Sequence, residues 1–376
     1  GATSSTARRC ARPASPTRAS GADVQALVLA GGQGTRLRPL TYTTPKPVMP
    51  LAGRPFLTFM LDWLRGHGVD EAILSCGFMS EGVRSVLGDV YAGMRLRYVV
   101  EDEPLGTAGP VRLALDEGLL DERLLVLNGD VLTDIDLGAE IAAHERSGAR
   151  CTLALVAVDD TSSYGVVPTD DEGRVEAFLE KTDGEVPTDR INAGAYVVAR
   201  EVVESLVPAG GPVSFERDVF PRLVGDGLHG WHADGYWIDI GTPERYLEAT
   251  YDLLAGAVAS QLPPRDETGS LIGAGCLTSG AHIGPQSVLG DHCAVGSDSA
   301  VERSVLHDRV IVGADCRLRG AVLAERVRVG DDARIEPGAI VGAGARVESG
   351  ARVPADARIE PDAAVSAAGA PAGEAP

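Results

Sequence analysis

Aliphatic residues recur every six positions through the last part of the chain, and neither a helix nor a flat sheet accommodates that spacing. Leu277, Ile283, Leu289, Val295 and Val301 begin the series, Leu306, Val312 and Leu318 continue it, and Leu323, Val329, Ile335, Val341, Val347, Val353, Ile359 and Val365 complete it. The register slips by one residue after Val301 and again after Leu318. Alanine precedes each aliphatic by two residues in the last stretch (Ala333, Ala339, Ala345, Ala351, Ala357), and glycine often follows, as in Ile283-Gly284 and Val341-Gly342. A helix repeats about every 3.6 residues and a strand about every 2. A period of six instead demands short strands joined by tight corners. A parallel β-helix meets that demand, with each strand turning one aliphatic inward and small residues easing the corner.

The preceding region has a different texture. From Val24 to about Gly256, strand-like runs (VQALVLA, AILSC, LRYVV, LLVLN) alternate with helix-like stretches around Phe56–His67, Glu81–Leu87, Thr107–Glu117 and Leu137–Ser147. This alternation predicts an α/β fold, a mainly parallel sheet with helices on both faces and its ligand site beyond the carboxyl ends of the strands. Further strand-like runs (Cys151–Val158, Gly165–Pro168, Arg174–Leu179, Ala193–Val198) predict an inserted, partly antiparallel layer. The expected division is a disordered extension over 1–22, an α/β domain over 23–258, a β-helix over 259–366 and a disordered tail over 367–376.

Charge narrows the partners. A formal net charge of −20 excludes a phosphate-backbone binder of nucleic acid, which needs a basic face. No apolar run approaches the roughly 20 residues that cross a bilayer. The six cysteines form no CxxC pair and read as small core residues of a protein in a reducing cytoplasm. Of the 34 basic residues only Lys46 and Lys181 are lysine. In a chain that uses arginine nearly everywhere, these two mark places where a compact ammonium serves better than a planar fork.

The segment Leu29-Ala-Gly-Gly-Gln-Gly-Thr-Arg-Leu-Arg-Pro-Leu-Thr41 follows the first strand directly. Gly31, Gly32 and Gly34 allow a tight turn that brings bare N–H groups close to an anion, and Arg36 adds a fork for phosphate oxygens. It is neither a Walker A loop nor a dinucleotide fingerprint. Followed by Pro45-Lys46-Pro47, it closely resembles the triphosphate-binding motif of the sugar nucleotidyltransferases, also called NDP-sugar pyrophosphorylases. That resemblance implies that Leu29, Ala30, Gly31, Gly32, Gly34, Thr35 and Arg36 hold a nucleoside triphosphate, and that Lys46 neutralises charge near the reacting phosphate.

Other motifs follow in the family's order. Asn128-Gly-Asp130 ends a strand, and Trp237-Ile-Asp239-Ile-Gly-Thr-Pro243 resembles the family's W-x-D-I-G-T-P motif. The resemblance makes Asp130 and Asp239 ligands of Mg²⁺, a cation that favours one or two carboxylates with phosphate oxygens and water. Glu180-Lys181 and Asn192-Ala-Gly194 resemble sugar-site motifs, implying that Glu180 and Asn192 bind sugar hydroxyls and Lys181 the sugar phosphate, with Gly165 allowing close approach. The catalytic set is then Arg36, Lys46, Asp130 and Lys181. Glu101-Asp-Glu-Pro-Leu-Gly106-Thr107 resembles the base-recognition loop of mannose-1-phosphate guanylyltransferases. A carboxylate at Glu101 suits guanine, which offers two adjacent donors, whereas uracil and thymine offer one N–H between two carbonyls. The Val213-Ser-Phe-Glu216 segment resembles one near the family's sugar pocket, and the hexapeptides resemble the left-handed β-helix, which implies about five coils of three hexapeptides each.

The implied activity is transfer of a nucleotidyl group, most readily from GTP, to a sugar 1-phosphate such as mannose 1-phosphate, releasing pyrophosphate. The implied partners are these two small molecules, a second copy of the chain through the β-helix, and neither nucleic acid nor membrane. Two other readings remain open on sequence: a hexapeptide acyltransferase using His282, His292 or His307, and a regulatory subunit that binds nucleotide sugar without turnover.

Overall fold

The computed structural model describes residues 24–77, 79–180 and 186–367. Lys181 lies outside them, as do nearly all of the expected extension and tail.

The first part is built on four parallel strands, β1 (Gln25–Leu29), β2 (Glu71–Cys76), β3 (Met94–Val100) and β4 (Arg123–Asn128). They lie in the order β4-β1-β2-β3. Their apolar runs are continuous because both faces are covered. Helices α1 (Leu57–Gly66), α2 (Ser80–Leu87) and α4 (Leu137–Ser147) cover one face, α3 (Gly109–Asp116) and α5 (Arg200–Leu206) the other. After β4 come the short β5 (Val131–Thr133), then β6 (Cys151–Ala157), β7 (Gly165–Val166), β8 (Leu179–Glu180) and β9 (Arg190–Ala199). The long β9 runs antiparallel to both β4 and β6 and joins the expected antiparallel layer to the parallel core. Of the expected strand Arg174–Leu179, only two isolated bridges and the first residue of β8 form. Strands β10 (Leu228–His232) and β11 (Trp237–Asp239) and helix α6 (Pro243–Ala255) close the domain, with β11 antiparallel to β5.

The hexapeptides wind into three parallel sheets of six, five and five strands, just over five coils of a left-handed β-helix. The inward column from Leu289 to Val365 is buried throughout. Leu277 departs from the expectation. It pairs with Ala294 in an outward column and is 72% exposed, because the first coil takes its own one-residue slip before Ile283. One outward column differs from the others: Leu271, Val288, Val305, Val322 and Ile340 are aliphatic and buried against Leu247, Leu253 and Leu254 of α6. The β-helix therefore docks on the first domain along a single face. Tyr246 of α6 anchors the joint, its hydroxyl donating to Pro50 O and lying 3.1 Å from His307 Nε2. Burial pushes the His307 imidazole down to about 4.

One core position breaks the pattern. Glu140 on α4 is fully buried, and neither carboxylate oxygen has a hydrogen-bond partner among the described residues. Burial holds its carboxyl well above the ordinary value. The folded chain then keeps a proton that the unfolded chain releases, so this group's contribution makes stability fall as pH rises above the ordinary carboxylate range. Glu140→Met, close in volume and a good helix former, is expected to stabilise by about 1–3 kcal/mol near pH 8. That corresponds to a melting gain of about 2–4 °C per kcal/mol. Thermal melts of both proteins from about pH 5 to about pH 8 check it; a gap that does not widen with pH contradicts it.

Candidate active site

A cleft of about 610 Å³ opens at the carboxyl ends of the four parallel strands, bordered by Leu29 ending β1, Gly77 after β2, Glu101 after β3 and Asn128 ending β4. This is where such sheets bind ligands. Leu29, Ala30, Gly31, Gly32, Gly34, Thr35, Arg36, Lys46, Glu101, Gly106, Thr107 and Asp130 all line it. The loop after β1 is anchored by Ala30 N donating to Ser75 O at 2.8 Å and by Thr41 Oγ1 donating to Gly34 O at 2.8 Å. Gly34 sits at φ 61°, a left-handed conformation that favours glycine. Gly31 lets Glu101 come close: a Cβ there would lie 2.6 Å from Glu101 Oε1 and displace that carboxylate.

Charge in the cleft is paired unevenly. Lys46 Nζ donates to Asp130 Oδ2 at 2.8 Å, and the lysine side chain is only 10% exposed. Burial alone would raise the Asp130 carboxyl, but Lys46 and then Arg36 hold it below the ordinary carboxylate value. Arg36 makes no ion pair among the described residues and stays available to an anion. Glu101 is fixed as an acceptor, taking hydrogen bonds from Ser75 Oγ at 2.7 Å and Leu105 N at 3.0 Å. Thr107 faces the same cleft, yet its hydroxyl donates to Glu216 Oε2 at 2.7 Å and accepts from Phe215 N at 2.8 Å.

Asp239 approaches from the far side. Ile240 N donates to Asp130 O at 2.8 Å, which sets the end of β11 beside the end of β4. A Cβ on Gly241, a cleft-lining residue, would come 2.9 Å from Asp239 Oδ2 and 3.0 Å from the Arg36 guanidinium. Gly165, Glu180 and Asn192 do not border the cleft itself but gather next to it. Gly165 pairs with Glu180 across β7 and β8. Asn192 Nδ2 donates to Tyr196 OH at 2.9 Å, and its Oδ1 accepts from Gly194 N at 3.0 Å. A Cβ on Gly194 would lie 2.6 Å from Asn128 Nδ2, so the Asn128 side chain sits between the two regions.

Sequence reasoning passed over Asn128, Tyr164, Trp237 and Gly241 as site residues. Asn128 lines the cleft, and its buried Oδ1 has no hydrogen-bond partner among the described residues. Tyr164 OH donates to Asp239 Oδ1 at 2.6 Å; burial and then that carboxylate push the phenol up to about 12. Tyr164 flanks Gly165, and Trp237 and Gly241 lie within the W-x-D-I-G-T-P motif, which is the signal the sequence carried for them.

Comparison with known proteins fits this geometry. The family model "Nucleotidyl transferase" matches residues 25–256. The chain belongs to that family. A second model, "EIF2B subunit epsilon LbH domain", matches residues 266–353. The chain is 41% identical over 284 residues to the mannose-1-phosphate guanylyltransferase of Mycobacterium tuberculosis, covering 71% of this chain and 78% of that one. It is 34% identical over 290 residues to mannose-1-phosphate guanylyltransferase 1 of Arabidopsis thaliana, covering 74% and 76%. Among solved structures, HddC from Yersinia pseudotuberculosis superposes with a TM-score of 0.53 at 30% identity, covering 60% of this chain and 97% of that one. It has also been solved in complex with GMP-PN. This nucleotidyltransferase family member is thus an enzyme of nucleotide-sugar synthesis. Its His307 is buried in the domain joint with Nε2 3.1 Å from the Tyr246 hydroxyl. Among the described residues no helix is long and apolar enough to cross a membrane.

Proposed function

We propose that this nucleotidyltransferase transfers the guanylyl group of GTP to mannose 1-phosphate. The observation that carries the reading is the meeting of the glycine loop, Arg36, the Lys46–Asp130 pair and Glu101 in one cleft. The names of the relatives and the guanine nucleotide bound by HddC support the choice of base and sugar.

A sugar-1-phosphate oxygen attacks the α-phosphorus in line and pyrophosphate departs, so no covalent nucleophile is needed. The chain aligns two anions and offsets their repulsion. The amides of the glycine loop and Arg36 hold the triphosphate, Lys46 steadies charge at the α-phosphate, and Lys181 meets the sugar phosphate. Glu101 accepts from guanine N1–H and the 2-amino group with lone pairs not used by Ser75 and Leu105. Glu180, Asn192 and Gly165 shape the sugar end.

Asp130 and Asp239 fit a Mg²⁺ site. They supply oxygen donors alone, on neighbouring strand ends, and no cluster of three or more His, Cys, Asp or Glu among the described residues suggests a more enclosing cage. The two carboxylates would hold the cation, which would supply charge neutralisation at the transferring phosphate. A cytoplasmic setting and self-association through the β-helix belong to the same proposal, and sedimentation velocity reads the latter.

The test is a panel of four nucleoside triphosphates against several sugar 1-phosphates, read by pyrophosphate release. GTP with mannose 1-phosphate is expected to give the highest kcat/KM; preference for UTP or dTTP refutes the base assignment, and preference for another sugar phosphate refutes the acceptor.

A further inference from the structure

Asp239 is held from behind by groups that never border the cleft. Its Oδ1 accepts from Tyr164 OH at 2.6 Å. Arg245 Nη2, from the first turn of α6, lies 3.5 Å from the same hydroxyl. A guanidinium only donates, so the phenol oxygen is the acceptor for Arg245 and its single proton is left for Asp239. The direction of the relay is thereby fixed: Arg245 to Tyr164 to Asp239.

The phenol ring cannot swing away freely. It packs edge-on against Trp237 at 5.4 Å and 78°. The Trp237 indole N–H is in turn held by Ala193 O at 2.8 Å. The two oxygens of Asp239 therefore sit in different settings. Oδ1 is tied to the protein, while Oδ2 stands beside Gly241 and the Arg36 guanidinium at the edge of the cleft.

We infer that Tyr164 is a positioning residue for Asp239, fixing the rotation of the carboxylate so that Oδ2 is presented to a divalent cation at the cleft. This rests on the proposed role of Asp239 as a metal ligand. An unrestrained aspartate spreads over several rotamers, and ordering it on binding weakens affinity. A hydrogen bond made before the cation arrives removes that cost. Loss of such an outer partner commonly lowers metal affinity by about 10–100-fold.

Tyr164→Phe removes only the hydroxyl and leaves the ring against Trp237. Free Mn²⁺ is counted by electron paramagnetic resonance as the ion is titrated into the parent, Tyr164→Phe and Asp239→Asn proteins, each with a non-hydrolysable GTP analogue. Tyr164→Phe is expected to bind Mn²⁺ about 10–100-fold more weakly with an unchanged melting temperature. Its Mg²⁺ midpoint for pyrophosphate release should rise by a similar factor, with turnover restored at saturating Mg²⁺. Parent-like Mn²⁺ affinity in Tyr164→Phe, with binding lost in Asp239→Asn, overturns the positioning role and leaves the metal site standing. Parent-like affinity in Asp239→Asn removes the metal reading beneath both. A turnover loss that saturating Mg²⁺ does not restore shows Tyr164 acting on substrate and overturns the inference as well.

Discussion

Lys46→Ala is expected to lower turnover by about 10²–10³ at saturating substrates, the usual loss when a preorganised charge at a reaction centre is removed. The lysine stands at the head of the short turn Lys46–Val48, with its side chain 10% exposed and Nζ 2.8 Å from Asp130 Oδ2. Three ammonium donors allow it to keep Asp130 and meet a phosphate oxygen at once. Without it, only Arg36 and a backbone hydrogen bond oppose the desolvation of Asp130, so the carboxyl rises and a cation site built on it weakens too. Lys46→Arg is expected to rescue little, because a planar fork does not replace a compact ammonium in so confined a place.

Folding should change much less than turnover. The Asp130 side chain is 37% exposed, so solvent screens the pair and its loss costs on the order of 1 kcal/mol. Asp130's folded carboxyl lies below its unfolded value, so the pair's contribution is full at neutral pH and fades as pH falls through the folded value. A Lys46→Ala protein that melts near the parent temperature yet releases pyrophosphate at the parent rate removes Lys46 from the catalytic set.

What the sequence revealed about this site depended on distance along the chain. The glycine loop, Asn128-Gly-Asp130 and Trp237-Ile-Asp239 were legible because each is a short contiguous segment that resembles a motif of the family. Lys46 stood out by rarity. Tyr164 was not legible as a partner of Asp239, because 75 residues separate them and nothing local marks a phenol that reaches a carboxylate. Glu140 reads as an ordinary polar helix residue, and only the packing of α4 shows it sealed from water. The docking face of the β-helix had a signal that was overlooked. On four successive coils of one face the residue before the inward aliphatic is itself aliphatic (Val288, Val305, Val322, Ile340) before Arg358 ends the run, whereas arginine fills the corresponding places Arg317, Arg334 and Arg352 on another face. Leu277 failed for the converse reason, since a bare six-residue count cannot tell which of two adjacent positions turns inward when a coil is one residue short.

Glu101→Gln is expected to lower kcat/KM for GTP by about 10²-fold or more, and to shift preference toward UTP and dTTP. Guanine presents two neighbouring donors, and a carboxylate can accept both. Glutamine offers one acceptor and one amino group, so one guanine donor would face another donor. Losing one charge-assisted bond and leaving a desolvated donor unpaired costs about 2–4 kcal/mol in total. Uracil and thymine present N–H beside a carbonyl, the pattern that an amide matches. The supports of the side chain survive the change. Glutamine Oε1 can keep the 3.0 Å bond from Leu105 N, while Ser75 Oγ, now 2.7 Å from the carboxylate, can rotate to accept from the amide. The variant should therefore fold, and the loss should fall on base choice. The measurement is kcat/KM for each triphosphate with both proteins at fixed sugar 1-phosphate. If Glu101→Gln retains the parent's ratio of GTP to UTP, Glu101 does not read the base, and its bonds to Ser75 and Leu105 serve only to brace the loop against Gly31.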